Sequence, residues 1–146
     1  MGLNDEEQNL LKECLEVNEG DPTRSFTSLA PTYSYFNAKF VAARKASAIR
    51  ELELDEVESS LQFKVRQDLE LGKTKVTEAL VTAGVALNPA FKEAKIRSIE
   101  AEEVLGTYGG VLKTLEVHKD LLVQVGAQIR HEQSAERFIS SRPSSR

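Results

Sequence analysis

The stretch PTYSYFNAKFVAARKASAIRELELDEVESSL, residues 31–61, predicts one long α-helix. Nine positions in it recur at alternating spacings of three and four residues, and seven of these are apolar. They are Tyr33, Phe36, Phe40, Ala43, Ser47, Arg50, Leu54, Val57 and Leu61. No glycine or further proline follows until Gly72, so the helix is expected to run from 31 to 71, about 60 Å at 1.5 Å per residue. A helix of that length has to pack along a partner helix.

A second long helix is expected after Asn88-Pro89, an N-cap followed by proline at the first helical position. We call such a row of positions, expected to pack against a partner helix, the seam of the helix. The seam of the second helix keeps the same alternating spacing through Phe91, Ala94, Ser98, Ala101, Leu105, Tyr108, Leu112, Leu115, Lys119, Leu122, Gly126 and Ile129. Glycines 106, 109 and 110 weaken this helix, and they predict a close contact with a neighbouring helix.

The flanking segments complete an all-α prediction. Residues 1–20 are expected to hold a short acidic helix from about Asp5 to Asn18, with Asn4 as N-cap and Glu7 completing a capping box. Residues 21–30 are expected to form a loop, and 74–87 a short connecting helix. The helical core then spans 31–132, and the Ser- and Arg-rich tail, 133–146, is expected to be flexible. The two long helices are predicted to form an antiparallel, coiled-coil-like hairpin.

The hairpin is also expected to self-associate. Small or charged residues occupy some positions of both seams, and some aromatic residues lie off the seam. A single chain would therefore leave apolar surface exposed, which favours a homo-oligomer. The longer C-terminal seam is expected to carry most of this assembly. Its candidate residues are Leu105, Tyr108, Leu112, Leu115 and Leu122.

The chemistry of the side chains argues against an enzyme. Gly72-Lys73-Thr74 lacks the earlier glycine of a phosphate loop, since Gln67 stands there. His118 and His131 have no cysteine partners for zinc, and the acidic run at 51–58 lacks calcium-loop spacing, so we expect neither a metal nor a cofactor. The lone Cys14 is interpreted as a small buried apolar residue in a reducing compartment. No apolar run is long enough for a membrane span, and a soluble cytoplasmic protein is expected.

Charge is uneven along the chain, whose net charge is −4. Cations concentrate in two places, which a polyanion could contact regardless of the total. The first candidate group is Lys64, Arg66, Lys73 and Lys75, and the second is Lys39 and Arg44 among the aromatic residues Tyr33, Tyr35, Phe36 and Phe40. Interleaved cations and aromatic rings are typical of single-stranded nucleic-acid binding. The alternatives are ordinary solvated cations for the first group and core packing of the aromatic residues for the second.

The segment FKVRQDLELG, residues 63–72, resembles the Lys-x-Arg-x-Asp…Gly segment of the UvsY family of phage recombination mediators. The resemblance extends to an aromatic-bearing helix before the segment, an elongated helix after it, and the late QIRHEQ at 128–133. Leu69 and Glu70 stand where that family's segment carries two tyrosines. The resemblance implies DNA contacts at Lys64 and Arg66. It also implies a homo-oligomer that binds single-stranded DNA and helps load a RecA-like recombinase in place of the single-strand binding protein, in the cytoplasm of a phage-infected bacterial cell.

A second function class fits the same pattern. A non-catalytic helical scaffold or adaptor, such as a phage assembly factor, would also be helical, acidic and oligomeric. In that class the cations would be solvated surface residues, so single-stranded DNA binding at low salt separates the two hypotheses.

Overall fold

The computed structural model describes residues 2–17 and 20–141 and confirms the all-α prediction. Within these residues, four α-helices follow one another and there is no β-strand. The helices are α1 (Asp5–Leu15), α2 (Pro22–Leu71), α3 (Glu78–Leu87) and α4 (Pro89–Ser140).

The start of α1 is as the sequence predicts. The Asn4 side chain accepts a hydrogen bond from the Glu7 backbone N–H at 2.8 Å, and the Glu7 carboxylate accepts one from the Asn4 N–H at 3.2 Å. These two bonds form the predicted capping box. The helix ends at Leu15, earlier than the predicted end at Asn18, which lies outside the described residues.

The prediction of a loop at 21–30 is wrong, because α2 begins at Pro22. The Arg24 backbone N–H donates to the Asp21 carboxylate at 3.1 Å, so Asp21 caps the helix and Pro22 occupies its first turn. Asp21-Pro22 is therefore a start signal as well as the stop signal for the helix before it. Pro31, which was expected to begin the helix, lies inside it.

Tertiary packing offsets the cost of Pro31. A proline inside a helix removes one backbone hydrogen bond and costs about 3 kcal/mol. Ser25, Leu29, Thr32 and Phe36 are all buried, and their spacing of four, three and four places them on one face of α2 on both sides of the proline. Burial of this continuous face favours an uninterrupted helix.

The later helices match the prediction at most of their ends. Helix α2 ends at Leu71, and α4 begins at Pro89, where the Asn88 side chain accepts from the Ala90 N–H at 2.9 Å. Helix α3 begins at Glu78 rather than near Thr74, because Thr77 is its N-cap. The predicted flexible tail from 133 is corrected in part, since α4 continues to Ser140; residues 142–146 lie outside the described part.

The chain divides into two compact units. Unit 1, built from Lys39–Tyr108, contains the end of α2, all of α3 and the start of α4. Val81 and Val85 of α3 are buried in it, together with Ala43 and Leu54 from the predicted seam of α2.

A glycine that the sequence analysis did not single out brings α3 close to α2 in unit 1. A Cβ atom added to Gly84 would lie 2.8 Å from a methyl carbon of Val65. The predicted close contacts at Gly106 and Gly110 are not made among residues 2–17 and 20–141, because a Cβ at either position would meet no side chain or other segment there within 4 Å.

Unit 2 contains Leu3–Ala38 and the described residues from Gly109 onward. The start of α2 lies antiparallel to the end of α4, and the Tyr33 hydroxyl of α2 donates to the Glu116 carboxylate of α4 at 3.4 Å. Helix α1 packs beside α2, where the Tyr35 hydroxyl donates to the Glu7 carboxylate at 3.3 Å. Phe36, from the second candidate group of cations and aromatic residues, is fully buried, which favours core packing for this ring. Cys14 is buried beside α2, as expected.

One buried position in unit 2 differs from the predicted seam. Lys119 was placed on the seam of α4, but it is exposed and His118 is buried in its place. Val111, Leu115, His118 and Leu122 are spaced by four, three and four residues and form the buried face. The His118 Nε2 atom has no hydrogen-bond partner.

Candidate nucleic-acid interface

Four cations surround the C-terminal end of α2, and all four are exposed. We call Lys64, Arg66, Lys73 and Lys75 the basic segment. Lys64 and Arg66 lie on the last two turns of α2, while Lys73 and Lys75 lie in the connection to α3. Because Lys64 and Arg66 point in directions about 200° apart, the helix alone cannot present both to one ligand. The basic segment therefore forms a surface only together with the connection.

The connection begins with a Schellman motif, and a lysine occupies the left-handed position where glycine is usual. The Thr74 N–H donates to the Leu69 carbonyl at 3.0 Å, and the Lys73 N–H donates to the Glu70 carbonyl at 3.1 Å. Lys73 has φ 54°, which is the left-handed conformation that glycine adopts without strain. Gly72 precedes this position, and a non-glycine residue here costs about 1 kcal/mol or more. Lys73 is thus held in a strained conformation within the basic segment.

Arg66 is already engaged within the chain. One guanidinium nitrogen, Nη2, donates to both carboxylate oxygens of Glu78, at 3.0 and 3.2 Å. The pair links the end of α2 to the first turn of α3, and both side chains remain accessible, Arg66 at 46% and Glu78 at 81%. An exposed pair of this kind is worth about 0.2–1 kcal/mol, so an external anion could displace Glu78.

An exposed aromatic ring adjoins the basic segment. Phe63 precedes Lys64 on α2, and 66% of its surface is accessible. Aromatic rings beside cations offer a stacking platform for unpaired bases. Phe63 lies within the resemblance segment at 63–72, but no role for it was predicted from the sequence.

Lys39 and Arg44 do not extend the basic segment along α2. Both side chains are exposed, but Arg44 precedes Lys64 by 20 residues, which is about 30 Å of helix. The stretch 51–58 between them carries five acidic residues, namely Glu51, Glu53, Asp55, Glu56 and Glu58. An anionic strand that follows α2 would meet these acids before it reached the second group.

The predicted oligomerisation residues fall into two classes in the single chain. Leu112, Leu115 and Leu122 are buried in unit 2, whereas Leu105 and Tyr108 are half-buried in unit 1. Large apolar side chains that are exposed lie elsewhere, among them Leu52 and Ile96.

Two other kinds of site are absent from residues 2–17 and 20–141. No group of three or more His, Cys, Asp or Glu side chains in this part of the chain is placed to hold a metal ion. Within the same residues, no helix combines the length and apolar content needed to cross a membrane.

No protein-family model matches the chain, and comparison with curated proteins and with solved structures yields no match. The similarity to the UvsY family therefore depends on segment 63–72 and on the order of the elements around it.

Proposed function

We propose that the protein is a non-catalytic recombination mediator that binds single-stranded DNA as a homo-oligomer. In this role it helps a RecA-like recombinase replace the single-strand binding protein, in the cytoplasm of a phage-infected bacterial cell. The resemblance at 63–72 supplies the recombination role, and the basic segment supplies the physical basis for binding DNA.

The observation that carries the proposal is the strained lysine at the end of α2. Position 73 of this Schellman motif favours glycine on conformational grounds, yet it holds an exposed cation, as do positions 64, 66 and 75 of the same segment. A residue kept in a costly conformation points to a role outside folding. Phosphate contacts by flexible cations are independent of sequence, as a mediator that coats any single strand requires.

Binding by each subunit is expected to be weak. The body is acidic, with net charge −4, and Glu78 competes for Arg66. A homo-oligomer compensates, because several weak sites on one strand raise the overall affinity through effective concentration. Weak individual contacts also allow the strand to pass to the recombinase.

The test is an electrophoretic shift of a labelled single-stranded oligonucleotide at low salt, with duplex DNA as competitor. We expect a shift that duplex DNA of equal length reduces only weakly. We also expect the protein to speed the loading of the recombinase on DNA that is coated with single-strand binding protein. Absence of any shift at low salt would contradict it.

The second candidate is the helical scaffold or adaptor, and one observation favours it. Unit 1 leaves large apolar side chains exposed, Leu52 at 63% among them, which is expected of a surface that meets another protein. A scaffold would assemble without binding the oligonucleotide.

A further inference from the structure

Helix α2 has a second face in unit 1 that the chain's own core does not use. This outward face of α2 consists of Val41, Lys45, Leu52 and Glu56, and all four side chains are exposed. Their spacing of four, seven and four keeps them on one side of the helix. The buried seam residues Ala43 and Leu54 lie two positions away, on nearly the opposite side.

Helix α4 has a matching outward face in the same unit. It consists of Lys92, Lys95, Ile96, Ile99, Glu103 and Gly106, all exposed. The half-buried seam residues Ala94 and Ala101 belong to the opposite side of the helix. Gly106 adds a shallow depression, since no side chain or other segment lies within 4 Å of where its Cβ would be.

The two outward faces are complementary when they are placed antiparallel with Leu52 between Ile96 and Ile99. Lys45, seven residues before Leu52, then lies opposite Glu103, while Glu56 lies opposite Lys92 and Lys95. Val41 falls about two residues beyond Gly106, past the end of the outward face of α4. The order cation, apolar, anion on α2 thus meets the order anion, apolar, cation on α4, so both apolar contact and charge favour the pairing.

The register of this pairing is one the fold already uses. Inside unit 1, Glu53 and Val57 of α2 line a shallow groove with Ala90 and Ala94 of α4. Glu56 also lines this groove, so it borders both the outward face of α2 and the contact within the chain. If two copies lie side by side with no shift along the helix axes, α2 of one copy and α4 of the next keep this same axial alignment. Leu52 of one copy then lies beside Ile96 and Ile99 of the next. We infer that the outward face of α2 in one copy packs on the outward face of α4 in the next copy.

This contact is heterologous, because it joins two different surfaces of the same chain. Such head-to-tail contacts leave one free face at each end and close into a ring when the rotation permits. The inference rests on the homo-oligomer in the proposed function and names the surfaces that build it. It does not depend on DNA binding.

Cross-linking between two single-cysteine variants tests the pairing directly. Leu52→Cys and Ile99→Cys chains, distinguished by size tags, are co-expressed and treated with a short bismaleimide; the natural Cys14 is only 2% exposed. The expected product joins one chain of each kind, while each variant expressed alone stays uncross-linked. A dimer from Leu52→Cys alone would indicate α2 against α2 and overturn the inference.

Failure of the inference can be told apart from failure of the proposed function. If light scattering gives an oligomer but the mixed chains do not cross-link, the pairing is wrong and the homo-oligomer stands. A monomer mass at micromolar concentration would overturn both.

Charge reversal gives an independent readout. Glu56→Lys and Lys95→Glu should each raise the concentration needed for assembly about tenfold or more, since like charges would then face each other. The double variant should recover most of the loss. Glu51→Lys changes the same charge about 140° away from Glu56 around α2 and should leave assembly unchanged. A Glu51→Lys effect as large as that of Glu56→Lys, or no recovery in the double variant, would contradict the pairing.

Discussion

Arg66 and Glu78 form an ion pair that joins the end of α2 to the start of α3, with both carboxylate oxygens within 3.2 Å of one guanidinium nitrogen. Arg66 is one of the two residues that the resemblance assigns to DNA. Its guanidinium contacts a carboxylate at the place where, in the proposed function, a DNA phosphate would bind.

The first prediction concerns release of this pair. Glu78→Gln should raise the affinity for single-stranded DNA about 1.4- to 5-fold per contact, because an exposed ion pair of about 0.2–1 kcal/mol no longer competes for Arg66. Fluorescence anisotropy with a labelled oligonucleotide measures the change. Glu51→Gln removes the same charge elsewhere on α2 and is the control. Equal gains from both variants would mean that net charge alone is responsible.

The second prediction separates function from stability at Lys73. Lys73→Gly should raise the free energy of unfolding by up to about 1 kcal/mol, because glycine adopts φ 54° without strain. The same change should weaken DNA binding, since one cation of the basic segment is lost. Urea denaturation and anisotropy provide the two measurements.

Lys73→Ala is the matched control, as it removes the cation but keeps a Cβ atom. It should weaken DNA binding without the gain in stability. If Lys73→Gly lowers stability instead, the lysine serves the helix end, where a cation offsets the dipole.

The third prediction tests the close packing of α3 on α2. Gly84→Ala should destabilise the protein by up to about 2 kcal/mol, because overpacking against Val65 exceeds the gain of about 1 kcal/mol in helix propensity. Adding Val65→Ala should recover part of the loss. Gly126→Ala is the control, as its Cβ would meet nothing within 4 Å, and it should be neutral or stabilising. Thermal denaturation that ranks the two alanine variants equally would contradict the packing.

The fourth prediction assigns a stacking role to Phe63. Phe63→Ala should lower affinity about fivefold or more, since a base stacked on an aromatic ring contributes about 1–3 kcal/mol. The salt dependence should not change, because no charge is removed. Phe138→Ala removes a ring of similar exposure at the far end of α4 and should have no effect. A loss of equal size at Phe138 would exclude a specific role for Phe63.

Periodic patterns predicted the helices because each long helix buries a continuous face. The seam through Phe36, Ala43 and Leu54 is the inward face of α2, and the caps at Asn4 and Asn88 mark true helix starts. The start of α2 was missed because Asp21-Pro22 signals a stop and a start equally well. Only the buried residues around Pro31 decide between a break and a continuous helix.

The cations of the candidate site could be predicted from the sequence, but the side chains that they contact within the folded chain could not. Lys64 and Arg66 follow from charge and resemblance, whereas Glu78 becomes relevant only when α3 turns back beside α2. The left-handed conformation of Lys73 was also not predicted, because the neighbouring Gly72 was expected to end the helix. Spacing on α4 placed Lys119 on the seam, but the one-residue difference that buries His118 depends on packing against other helices.

The central claim is that the basic segment binds single-stranded DNA. The most direct measurement is the affinity for a labelled oligonucleotide across a salt series, for the natural protein and for Lys64→Ala with Arg66→Ala. Two lost phosphate contacts should lower the affinity and flatten the log–log salt slope by about 1.4, at about 0.7 per contact, while the oligomer mass stays the same. Lys12→Ala with Arg130→Ala removes the same two kinds of cation from unit 2 and should leave the slope unchanged. Equal affinities and slopes for the natural protein and the Lys64 and Arg66 variant would contradict the claim.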